Sequence, residues 1–163
     1  MSMKNLPRWL FSSIAYHFEG IAAANNIPYF VEGIDERDDD NMQLSHVELR
    51  VTGPQTKEIA KGYYHVQIVI NFMFTSLMDM AGSAYELVQW CGILQDAMLE
   101  PIPIYKYGDG ADDTQELIGC LRVKDGKYDA VKLYHFGQMS RTDRIRQSEI
   151  DGIYEMDIDE SKL

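Results

Sequence analysis

Between Gly62 and Phe74 the side chains Tyr64, Val66, Ile68, Ile70, Phe72 and Phe74 alternate strictly with a second face that carries Tyr63, His65, Gln67 and Asn71. A period of two belongs to an extended strand, because successive side chains point to opposite faces of a sheet. A strand from Gly62 to Phe74 exceeds the length of about 5–6 residues usual in globular sheets. It is expected to run past the core, where a neighbouring subunit can pair or pack with it. Its apolar face needs a cover of helices or a second sheet.

The flanking segments suggest helices. Pro7 suits a first helical turn, and Leu10, Ile14, Phe18 and Ile21 recur at helical spacing through Ala24. Asn25-Asn26 stop that helix and Pro28 cannot extend it. Tyr29–Glu32 is a short extended candidate. Ser83 and Glu86 form a capping box ahead of the stripe Leu87, Val88, Cys91, Leu94 and Met98, which predicts a second helix, Ser83–Leu99.

Further strands surround these helices. Val47, Leu49 and Val51 alternate with His46, Glu48 and Arg50, and Gly53-Pro54 is expected to end that strand. The polar stretch Gln55–Lys61 then leads to Gly62. Ile102–Tyr107 reads as a strand followed by a turn at Gly108-Asp109-Gly110. Leu117–Lys124 and Lys127–Phe136 flank Asp125-Gly126, a pair that favours a type I′ turn and predicts a hairpin. A last strand begins near Ile145, with Ile150, Tyr154, Met156 and Ile158 on one face. The tail Asp159–Leu163 is expected to fray. The fold class is thus α+β: an antiparallel or mixed β-sheet with two amphipathic helices packed on one face, in a single domain covering residues 1–163.

Composition narrows the function. The formal charge of −11 disfavours binding that neutralises nucleic-acid phosphates. The acidic run Asp35–Asn41 reads as a solvated loop, without the Gly and Glu positions of a calcium loop. Cys91 and Cys120 fit buried free thiols in a reducing cytosol. Neither a signal peptide nor a transmembrane helix is expected, so no membrane partner is.

The residues offer little chemistry. His17, His46, His65 and His135 lack metal-binding spacing. His46 and His65 share the polar side of their strands and could face each other across a hairpin, in a register the sequence leaves open. Gly82-Ser83 is explained by the helix cap, and no phosphate-binding glycine motif occurs. With no catalytic, cofactor or metal constellation, the chain is expected to act by contact and not as an enzyme. One basic island, Arg141, Arg144 and Arg146, reads as a solvated turn or as an intersubunit patch that pairs with a neighbour's carboxylates. Tyr63 and His65, on the long strand's second face, are further candidates for a subunit interface.

The order and character of these segments resemble phage tail-terminator proteins, also called tail-completion or head–tail joining proteins. The resemblance rests on the helix Pro7–Ala24, the strand Gly62–Phe74, the helix Ser83–Leu99 and the closing strand from Arg144-Ile145-Arg146 to Tyr154-Glu155-Met156. It implies a homo-oligomeric ring, usually hexameric, in the tail or neck of a virion and assembled in the host cytoplasm. Such a ring caps the tail tube protein and meets the head connector or stopper protein. Genomic DNA passes through its lumen without sequence recognition. The family implies no cofactor. Two alternatives accompany this reading: another neck component such as a head-completion or stopper protein, and an acidic inhibitor that mimics DNA.

Overall fold

A computed structural model describes residues 3–33, 45–77, 83–107, 115–124, 131–138 and 145–163. Helix α1 spans Leu6–Ala24 and is followed by β1, Tyr29–Val31. Strands β2, His46–Ala60, and β3, Tyr63–Leu77, precede helix α2, Ser83–Met98. The remaining strands are β4, Ile102–Lys106, β5, Glu116–Val123, β6, Val131–Gln138, and β7, Ile145–Asp159.

The strands lie in the order β1-β2-β3-β7-β5-β4, with β6 also paired to β7. Strand β1 runs parallel to β2, and the other pairings are antiparallel. The chain is therefore α+β with a mixed sheet.

Alternation on β3 sets the core. Val66, Ile68, Ile70, Phe72 and Phe74 are all buried. In register beside them on β7 stand Met156, Tyr154, Gly152, Ile150 and Ser148. Phe18 of α1 meets Phe72 edge-on, with ring centroids 4.8 Å apart. From α2, Met98 covers Gly152, where an added Cβ would come within 2.7 Å of the Met98 methyl. The Tyr154 hydroxyl donates to the Met98 carbonyl, and burial pushes its pKa up. Both helices thus lie on one face of the sheet. Each fully buried Leu, Ile or Phe there contributes about 1.5–3 kcal/mol.

Local signals explain the ends of α1. Pro7 occupies its first turn. At the other end Asn25 Nδ2 donates to the Ile21 carbonyl at 2.8 Å. Asn26 then takes a φ of 54°, a left-handed conformation that Asn tolerates better than most residues.

Three expectations need correction. Gly53-Pro54 does not end β2, which continues to Ala60. The register shifts between Thr52 and Gln55, and this bulge accommodates a proline that has no N–H to donate. Gly53 there has a φ of 113°.

The hairpin expected around Asp125-Gly126 does not form between β5 and β6. Those two residues lie outside the described ones, but both flanking strands run antiparallel to β7. Arg122 and Val123 face Glu155 and Tyr154, and Val131 to Gln138 then face Gly152 to Arg146. The two strands lie end to end along one edge of β7, because β3 occupies the other edge. A chain continuing in one direction is incompatible with a hairpin, whatever the local turn propensity.

The tail is ordered. Glu160–Lys162 forms a short 3-10 helix, with the Asp159 carboxylate accepting from the Ser161 N–H. That bond is the main cause holding the Asp159 carboxyl below its ordinary range. Lys106 Nζ also donates to the Leu163 carbonyl at 3.0 Å.

Candidate functional site

The face of the sheet away from the helices carries the polar side chains. On β7 it presents Glu149 and Asp151, then Ile153, then Glu155 and Asp157, alternating with Ile150, Gly152, Tyr154, Met156 and Ile158 of the core face. Cross-strand partners on β3 bridge these carboxylates in pairs. Asn71 Nδ2 donates to Glu149 and, at 2.5 Å, to Asp151. His65 Nδ1 lies 2.8 Å from Asp157 Oδ1, and its Nε2 lies 3.3 Å from Glu155 Oε2.

Register explains both bridges. Asn71 stands opposite Asp151 and His65 opposite Asp157, and directly opposed side chains share a face. Asn71 is 9% exposed, and its Oδ1 has no hydrogen-bond partner among the described residues. On β2, Arg50 lies opposite Asn71 and sits 3.5 Å from Glu48 and 3.6 Å from Glu32.

At the His65 end the face opens into a groove of about 600 Å³, with Cys120, Arg122, Glu155 and Asp157 along its polar side. Arg122 is the β5 partner of Glu155. Both ring nitrogens of His65 face carboxylates of β7, and the contacts tie β3 to β7. Among the described residues no group of three or more His, Cys, Asp or Glu is placed to hold a metal ion.

The structure separates several residues that the sequence treated together. His46 pairs with Thr75 and His65 with Lys57, so the two histidines sit at opposite ends of β2–β3. His46 is buried rather than displayed, and its ring stands edge-on to Phe30 with centroids 5.6 Å apart. Tyr63 opens β3 half-exposed, and its hydroxyl donates to the Asp159 carboxylate. Arg146 stands in β7 opposite Ser76 and Gln138. Arg141 and Arg144, like His135's side chain and the acidic run Asp35–Asn41, lie outside what is described.

Cys91 is buried as expected, and burial pushes its thiol up to about 12. Cys120 is only half-buried: it lines the groove, while Ile118 and Leu121 of the same strand enter the core. Sequence reading did not single out Asn71, Glu149, Asp151 or Arg122 as a group. Alternation placed Asn71 on the polar face of its strand, but only the register joins it to the β7 carboxylates.

No helix among the described residues is long and apolar enough to cross a membrane. No protein-family model matches the chain, and no curated protein matches its sequence.

Proposed function

We propose that this chain is a structural subunit of a phage tail or neck. In this reading it has a tail-terminator-like fold and forms a ring, hexameric in the resemblance noted above. The ring terminates the tail tube and joins it to the head connector, with DNA passing through the lumen.

The observation that carries this reading is the row Glu149, Asp151, Glu155 and Asp157 on the sheet face opposite the helices. A wall of fixed carboxylates repels phosphates and offers no release of counterions, so DNA slides past without being held. The partner bridges from Asn71 and His65 hold the row rigid, which suits a channel wall. They also leave it poorly suited to DNA mimicry, which needs carboxylates free to meet a partner's cations. No catalytic step, cofactor or membrane contact belongs to this reading.

Incubation with purified tail tubes, followed by negative-stain imaging, tests it. The expected result is a ring of protein at one tube end, and tubes that then accept connectors. A protein that ignores tubes and instead inhibits a DNA-binding enzyme as a monomer would overturn the proposal in favour of the inhibitor.

A further inference from the structure

The turn between β2 and β3 carries two large apolar side chains into water: Ile59 is 55% exposed and Tyr63 50%. The 3-10 helix Glu160–Lys162 meets this tip at Gly62, whose carbonyl accepts from the Glu160 N–H at 2.8 Å, yet every residue from Gln55 to Ala60 is exposed. Far from it, a groove of about 460 Å³ opens between α1 and β1. Ala15, Ala22, Ala23, Ile27 and Val31 line it, with Tyr16 and Glu19 also on its wall. The alanines leave the space, since any larger side chain there would fill it.

The two features are complementary. Ile59 and the Tyr63 ring supply apolar bulk of a size that an alanine-lined groove takes. The tip also carries Lys57 and Lys61, while Glu58 is engaged in the turn, accepting from the Gly62 N–H at 3.3 Å. The groove wall carries Glu19. Opposite charges at the rim of such a contact favour one register and one partner.

They cannot meet within one chain. Strand β1 pairs with Val47–Leu49, near the start of β2, and the tip lies at the other end of that strand, which closes at Ala60. At about 3.4 Å per residue, the stretch from Leu49 to Ala60 spans roughly 35 Å.

We propose that the β2–β3 tip of one copy seats in the α1–β1 groove of a second copy. The contact is head to tail: each copy gives a tip and receives one, so a chain of such contacts closes into a ring when its rotation permits. This inference rests on the ring reading above and names the surface that builds the ring.

Two variants test it, with sedimentation velocity and native mass spectrometry as readouts and circular dichroism as the check on folding. Ile59→Asp with Tyr63→Asp removes the tip, and Ala23→Trp with Glu19→Lys blocks the groove; Ile59, Tyr63, Glu19 and Ala23 are all exposed or at the rim. Each variant alone should need a concentration at least about tenfold higher to assemble. Mixed, they should form a one-to-one dimer, because one intact tip and one intact groove remain and make a single contact. Assembly unchanged in either variant, or no dimer in the mixture, overturns this interface and leaves the ring reading standing. A wild type that stays monomeric at every concentration overturns the interface and counts against the ring as well.

Discussion

Strand β4 and the outer half of β2 are both sheet edges, yet among the described residues only β4 has backbone groups on its open side occupied from within the chain. Helix α1 lies along β4. The Tyr105 N–H donates to Ser13 Oγ at 3.0 Å, and Trp9 Nε1 donates to the Tyr107 carbonyl at 3.2 Å. Lys106 Nζ stands 5.6 Å from the Trp9 ring centre. Among the described residues, Gln55–Ala60 of β2 pairs only with β3, and both of its faces are exposed. An open edge invites strand pairing from other chains, and charges, prolines and bulges are the usual guards. Pro54, Lys57 and the two register shifts occur on this edge. One edge is therefore closed by tertiary contacts and the other is only guarded by its sequence. The comparison suggests that the closed edge contributes stability and that the open arm is kept for contact.

Substitutions break the comparison in a graded way. Trp9→Ala should cost the most, about 3–5 kcal/mol, because Trp9 is 3% exposed and its loss opens the β4 edge; urea denaturation measures it. Ser13→Ala should cost about 1–3 kcal/mol in the same assay, since it leaves the part-buried Tyr105 N–H without the Ser13 acceptor. Hydrogen exchange should show faster opening in β4 and no change in the outer half of β2.

A pH effect follows on the same helix. Burial holds the pKa of His17 below its ordinary value of 6.5, and its Nε2 has no hydrogen-bond partner among the described residues. As pH falls through that value the unfolded chain takes up the proton first. The stabilising contribution is therefore complete above it and is lost below it. Thermal melts from pH 7.5 downward should show this loss, and His17→Gln should remove it.

The smallest effect belongs to the open arm. Ile59→Ser should change folding stability by no more than about 0.5 kcal/mol, because Ile59 is exposed and stands outside the buried core. A loss comparable to that of Ser13→Ala would mean that the arm belongs to the folded core, and the contrast between the edges would fall.

The sequence by itself determined the elements whose signals are local. Alternation from Tyr64 to Phe74 marked β3 and its core face, and Pro7 with Asn25-Asn26 bounded α1. Periodicity also placed Leu87, Cys91, Leu94 and Met98 on the buried side of α2, whereas Val88, read into the same stripe, is exposed. Register and pairing, by contrast, were decided only in three dimensions. Asp125-Gly126 carries a hairpin signal, yet β5 and β6 follow one another along β7, because a long edge can pair with two successive strands at once. Gly53-Pro54 signals a stop, yet β3 extends far enough to carry β2 through a bulge. The carboxylate bridges at Asn71 and His65 depend on which residues lie opposite across two strands far apart in sequence, and no window of sequence holds both. Periodicity is a property of neighbours along the chain, whereas a site of this kind is a property of neighbours across the sheet.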